Sequence, residues 1–200
     1  HTLRMKEREK KAAAAADERV KLTMDTGALD SRIRLLTEME KDYEGFNKAV
    51  KLVCQAKGEL RGIHGPVASL MKTESRYSLA IEIALGAGLQ NIVVDREEDA
   101  KSAIAFLKQR EGGRATFLLP LTAIHGEELR ENGVEREFGF VGVASRLVCF
   151  DPKYTQIFNN LLGRTVIAED LDCGIAMARK YRNAFRIVTL DGQVINRGGS

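Results

Sequence analysis

The sequence predicts a mixed α/β fold, with two pseudo-repeated helix–strand–helix–strand lobes preceded by a long N-terminal helix. Three observations point there. Gly62–Gly86 ("GIHGPVASLMKTESRYSLAIEIALG") aligns with Gly139–Gly163 ("GFVGVASRLVCFDPKYTQIFNNLLG") without a gap, so Gly62, Gly65, Leu70, Tyr77 and Leu85 fall on Gly139, Gly142, Leu147, Tyr154 and Leu162. Each copy continues through a β-branched run, an alanine-spaced helix and a second apolar run. Residues 1–44, by contrast, are charged, alanine-rich and free of proline, a strong helix-forming composition.

In chain order, residues 1–44 read as one arm of a coiled coil. Leu22, Leu29, Leu36 and Tyr43 recur every seven residues, with Gly27 interrupting the pattern. A segment this polar needs a packed partner for its apolar stripe. The domain proper spans 45–200, its lobes about 62–121 and 139–192. In the first lobe a strand at Asn91–Val94 leads through the helix Ala100–Lys108 to a strand at Ala115–Leu121. The second repeats this with Thr165–Ala168, Cys173–Tyr181 and Phe185–Leu190, and an extended piece precedes each copy. Strands that alternate with helices of this length need crossover connections, hence a mixed sheet. Asp95 or Asp99 is expected to cap the helix that follows it, and the acids at Glu169–Asp172 do the same in the second copy. Gly112 and Gly113 are expected as a left-handed helix cap. Only the first copy inserts Ala87–Gln90 ("AGLQ") between its closing glycine and its strand, which marks a specialised feature there.

Composition excludes more than it assigns. A 44% hydrophobic content supports a buried core, and a formal net charge of +3 is too mild to imply nucleic-acid binding. Cys54, Cys149 and Cys173 are widely spaced and read as idle thiols rather than a zinc or disulfide framework. No apolar run approaches a membrane span, and nothing resembles a signal peptide. His64 and His125 lie in separate glycine-flanked turns without a nucleophile at motif spacing, and His64 reads as a turn histidine bonded to its neighbours. "GAGLQ" follows a helix and enters a strand, the reverse of a phosphate loop. No catalytic residue, metal or cofactor is expected. Two basic clusters remain: Lys108, Arg110 and Arg114 after the first lobe's helix, and Arg179, Lys180 and Arg182 after the second's. Cations suit helix C-termini, and the same residues are candidate DNA contacts. The chain begins His1-Thr2, without Met, and reads as a piece of something longer.

The stretches Leu60–Leu70, Ala80–Asp95, Ala100–Lys108, Gly113–Leu121, Phe158–Ala178 and Arg186–Ser200 resemble, in order and with few gaps, the hinge domain of bacterial SMC (structural maintenance of chromosomes) proteins. The resemblance implies a long cytoplasmic, nucleoid-associated protein folded back at this hinge, with an ATPase head at the far end of its arms. The head's phosphate-loop motif is absent here, so the chain itself is expected to be no enzyme. It also implies a homodimer, with other condensin subunits as partners of the whole protein and no membrane. Carried over, one side of the subunit contact is Gly88, Leu89, Gln90, Asn91 and Ile92, and the other is Val194, Ile195, Asn196, Gly198 and Gly199. Gly86-Ala87-Gly88 stands where the family often has adjacent glycines, and Arg197 where it often has proline. The physical basis is edge-to-edge strand addition, closed by twofold symmetry. Two other readings stay open: a domain that mainly binds DNA, and a small-molecule enzyme on a two-lobed α/β fold.

Overall fold

The computed structural model describes residues 2–118 and 122–199. It divides into two compact units, 1–45 and 46–200. The first is a single helix, α1 (Thr2–Lys41). Gly27 does not break it, and Thr23, Thr26, Ser31 and Thr37 fold their hydroxyls back onto carbonyls four residues earlier. Leu22, Leu29 and Leu36 are exposed along it. Tyr43, read as the next heptad position, lies past the helix end in a left-handed turn (φ 53).

The second unit opens with α2 (Lys48–Gln55), which the sequence reading did not resolve. Asn47 caps it by accepting from the Val50 amide, and Ala49, Val50, Val53 and Cys54 are buried. Lobe one follows as β1 (Ile63–Pro66), β2 (Met71–Thr73), α3 (Ser78–Leu85), β3 (Ile92–Val94), α4 (Glu97–Gln109) and β4 (Phe117–Leu118). Lobe two repeats it as β5 (Phe140–Val143), β6 (Val148–Phe150), α5 (Thr155–Leu162), β7 (Thr165–Ala168), α6 (Leu171–Lys180) and β8 (Arg186–Thr189), then adds β9 (Val194–Ile195). The second lobe therefore reaches beyond residue 192. Of the strand expected over Ala115–Leu121, only Phe117–Leu118 is strand, and the rest of its C-terminal half lies outside the described residues.

Both sheets are mixed, as crossover helices require. In lobe one the order is β1-β3-β4, and in lobe two β5-β7-β8-β9. β3 and β4 run parallel, as do β7 and β8, while β1 and β5 are antiparallel to their neighbours. Both antiparallel pairs carry a register shift at equivalent places, between Ile63 and Gly65 and between Phe140 and Gly142. β2 and β6 pair with each other across the lobes, with Lys72 opposite Cys149. Those two residues are equivalent in the repeat, so this ribbon sits on the pseudo-twofold axis.

The lobes share one core. Val67, Ile81, Ala84 and Leu85 of lobe one pack with Ala144, Ile157, Phe158 and Leu162 of lobe two, and Phe150 stacks on Phe158 at 4.3 Å. After lobe one the chain crosses α5 rather than returning to its own sheet. The Gly126 amide donates to Gln156 Oε1 (2.7 Å), and Arg164 Nη2 donates to Glu131 Oε1 (2.7 Å).

The expected caps are partly wrong. The α4 N-cap is Arg96 without a side-chain bond, because Asp95 is taken up by His64 (Nε2 to Oδ1, 2.5 Å). Asp170 does cap α6, accepting from the Cys173 amide at 2.8 Å. At the end of α4 it is Glu111, a non-glycine, that turns left-handed (φ 50), while the Gly112 amide closes onto the Leu107 carbonyl at 2.8 Å. Gly113 is left-handed one step later (φ 87).

Candidate subunit interface

The first expected half grows out of the end of α3. Gly86 stops that helix at φ 50, ψ −127, and its amide closes onto the Glu82 carbonyl. The following 3-10 turn, Gly86–Gln90, is held by the Asn91 amide on the Gly88 carbonyl (3.1 Å). Gln90 Oε1 accepts from the Asn47 amide at 2.8 Å, and Leu89 packs partly on the shared core. Ala87, Leu89, Gln90 and Asn91 line a groove of about 330 Å³ together with Arg114 and Thr116. Arg114 and Thr116 come beside the turn only through strand pairing, so no local sequence pattern announces their part in the groove.

Ile92 does not belong to a free edge. It is fully buried, and its strand β3 is central, flanked by β1 and β4. The edge of lobe one on that side is β4. The Ile92 amide donates to the Thr116 carbonyl (2.8 Å) and Ile92 pairs with Phe117. In a parallel pair the residue opposite turns its own amide and carbonyl the other way, so Phe117 presents both to the open side.

The second expected half is shorter than a six-residue strand. β9 comprises Val194 and Ile195 and pairs only with β8 among the described residues. The Thr189 amide donates to the Gln193 carbonyl (2.9 Å), and Val188 pairs with Val194. Alternation along an antiparallel ladder then turns the Val194 amide and carbonyl outward. Ile195 faces inward, and a Cβ on Gly174 would lie 3.3 Å from its Cδ1. Beyond Asn196 the chain bends away, with Gly198 and Gly199 left-handed (φ 88 and 89) and the Gly198 amide on the Asn183 carbonyl at 3.2 Å. These glycines serve a turn rather than an extended strand.

Other candidate residues are dispersed. The basic residues at the ends of α4 and α6 are exposed. Lys180 pairs with Glu137, which holds that carboxyl below its ordinary value and raises the lysine. Arg110 lies 3.5 Å from Glu59 and over the Phe106 ring, and Arg114 faces the groove. His64 bonds Tyr154 Oη through Nδ1 (2.7 Å) as well as Asp95, bridging the lobes as a turn histidine. Cys54 and Cys173 are buried and Cys149 exposed; burial pushes the Cys54 thiol up to about 11. Among the described residues, no three metal-ligating side chains converge, and no helix is long and apolar enough to cross a membrane.

The two-lobed mixed α/β module has the architecture of a hinge domain, by its match to solved hinge structures. The family model described as the SMC proteins Flexible Hinge Domain matches residues 60–178, and the chain belongs to that family. It is 47% identical over 173 residues to the chromosome partition protein Smc of Bacillus subtilis, covering 85% of this chain and 14% of that protein. To the Smc of Methanocaldococcus jannaschii it is 41% identical over 196 residues, covering 98% of this chain and 16% of that one. The chain thus spans only a small part of these relatives' length. Among solved structures, an asymmetric dimer of the Geobacillus stearothermophilus SMC hinge domain matches with a TM-score of 0.80 and 40% identity, over 86% of this chain and 71% of that one. The Pyrococcus furiosus SMC hinge domain matches at 0.65 and 30%, over 82% of each chain.

Proposed function

We propose that this domain pairs with a second copy of itself by strand addition, the β9 edge of each copy entering the groove beside β4 and the Gly86–Gln90 turn of the other. One observation carries the reading: lobe two's sheet has four strands where lobe one's has three among the described residues. Among the described residues, the place that β9 fills beside β8 is open beside β4. Val194 on one side and Phe117 on the other turn unpaired backbone groups outward, and such edges are templates for another chain. Twofold symmetry makes the contact twice and leaves neither edge bare. The similar Geobacillus stearothermophilus hinge domain crystallised as a dimer, which supports the same reading.

In the whole protein the pair would join two helical arms, placing the domain as a structural part of a cytoplasmic, nucleoid-associated chromosome partition machine. Its ATPase head would lie in segments outside this chain, and its further subunits would be separate proteins.

Mass measured across a dilution series tests this. A dimer of the 22.1 kDa chain is expected. Val194→Pro removes an outward amide while sparing the β8–β9 bonds, and Leu89→Arg sets a charge in the groove wall. Each should weaken pairing ~10- to 100-fold, about 1.4–2.8 kcal/mol. Two folded variants that still pair as tightly as the parent would refute the interface.

A further inference from the structure

We propose that Arg186 is the positioning residue that ties together the two interface halves carried by one chain, so that the pair's two contacts close together. The inference rests on the strand-addition reading above and asks how one copy keeps both halves in register.

One half hangs from the C-terminus of α3, and the other is β9, attached to β8. Arg186 opens β8 and reaches back to α3: Nη1 donates to the Ala84 carbonyl at 2.8 Å and Nη2 to the Ile83 carbonyl at 3.5 Å. Carbonyls in a helix's last turn lack intrahelical partners and favour a cation, so the guanidinium is held there by two effects at once. Ala84 lies just before Gly86, where the interface turn begins. In the other direction Arg186 is fixed in the sheet, its amide donating to the Arg164 carbonyl at 3.1 Å, and the next residue, Ile187, pairs with Ile195 of β9. A second contact clamps the same helix. The β8–β9 turn lies against α3, where a Cβ on Gly192 would be 3.5 Å from Ile83 Cγ1 and 3.6 Å from Leu79 Cδ2.

Two further facts set Arg186 apart from generic packing. Its Nε is buried with no partner among the described residues. Leaving a buried donor unpaired costs stability, and an apolar side chain of similar length would avoid that cost. An apolar replacement therefore removes the two bonds to α3 together with that unpaired donor, which lets placement be tested apart from stability. Lobe one also has no counterpart. By strand register Phe117 corresponds to Ile187, since they pair with the equivalent residues Ile92 and Val166, so the residue in Arg186's place is Thr116, too short to reach another helix. The brace runs only from lobe two to lobe one, which is the direction that connects the two halves.

A rigid link raises the effective concentration of the second contact once the first has formed. The test compares a pair that makes both contacts with a pair that makes one. Mixing a Leu89→Arg chain with a Val194→Pro chain permits a single contact, between the intact β9 edge of the first and the intact groove of the second. Dissociation constants are measured for this mixture and for the parent homodimer, each with Arg186 and with Arg186→Met, after circular dichroism has shown each variant folded. Arg186→Met should weaken the two-contact homodimer ~10-fold or more and leave the one-contact pair within about twofold. Arg186→Lys, which keeps the charge with a single donor group, should fall between. Equal weakening of both pairs would make Arg186 only a shaper of the turn, and no weakening of either would remove the brace; both outcomes overturn the proposal. If Leu89→Arg and Val194→Pro leave homodimerisation untouched, the strand-addition reading fails instead. Should Arg186→Met not fold, Arg186→Lys carries the same comparison.

Discussion

Gly86 and Gly163 hold the same place in the two copies, closing α3 in lobe one and α5 in lobe two, yet the physics that keeps each a glycine differs. At Gly86 a Cβ would meet nothing within 4 Å, and the demand is conformational, since φ is 50 and ψ −127. At Gly163 the backbone is ordinary helix, φ −65 and ψ −20, and the demand is spatial, because a Cβ would overlap the Glu127 carbonyl of the crossing segment. The lobes share a pattern of strands and diverge where the chain leaves them. From lobe one it crosses α5 and presses on Gly163. From lobe two it hairpins into β9. The repeated architecture supplies the core, and the unequal exits give lobe two's sheet a fourth strand that lobe one's lacks among the described residues.

The largest effect should come from testing whether the lobes are separable at all. Phe158 is fully buried on α5, but its cluster includes Ile81 and Leu85 of lobe one. Phe158→Ala should cost about 3–5 kcal/mol. It should do so in one cooperative transition, with helix and near-ultraviolet signals lost together in a urea titration. Two resolved transitions, with lobe one's residues still protected from hydrogen exchange after lobe two has opened, would show that the comparison concerns two domains rather than halves of one.

The glycine pair gives the next effect. Gly163→Ala forces backbone against backbone and should destabilise by about 3 kcal/mol. Gly86→Ala has room for its methyl and bears only the strained backbone, about 1–3 kcal/mol. The sharper discriminator is where each acts: Gly163→Ala should raise exchange in the crossing segment around Gly126 and Glu128, and Gly86→Ala in the turn Gly86–Gln90. Reversed locations would mean that the two sites have been assigned the wrong cause.

Much of this difference could be read from residues, and some could not. The ungapped repeat gave the lobes, their parallel strands and the extra turn at Ala87–Gln90, because apolar spacing and glycines are local signals. Strands of two to four residues are another matter. Whether Ile92 is central or at an edge depends on what pairs either side of it, and β-branched residues suit both places. The β2–β6 ribbon joins residues far apart in sequence, so no local pattern announces it. Asp95 looked like a cap because it precedes a helix, and was drawn off by His64, whose position follows from the folding of β1 onto β3. Gly198 and Gly199 looked like strand residues because they follow one, but their left-handed backbone bends the chain onto Asn183.

The smallest expected effect concerns a charge pair that only lobe two has. Glu137 accepts from Lys180 Nζ and, at 3.0 Å, from Tyr181 Oη; in lobe one Leu60, not a carboxylate, stands at the position equivalent to Glu137. Hydrogen bonding to Lys180 is the main cause that lowers the Glu137 carboxyl from its ordinary 4.5. A lowered folded value means the stabilisation is fully present above the unfolded value and is lost as pH falls through the folded one. Lys180 is raised by the same bond, so its share persists below its ordinary 10.5 and is lost only as pH rises through the higher folded value. Between those limits the pair contributes steadily, though solvent and salt screen it. Urea midpoints for the parent and Glu137→Gln should therefore differ by a small constant amount at neutral pH, with the gap shrinking at higher ionic strength. As pH falls below the ordinary 4.5 the gap should shrink, and it should close once pH is below the lowered folded value, where the parent carboxyl is protonated too. A gap that persists undiminished in acid would show that Glu137 acts there by packing or neutral hydrogen bonding, leaving lobe two's edge over lobe one at this position one of shape and not of charge.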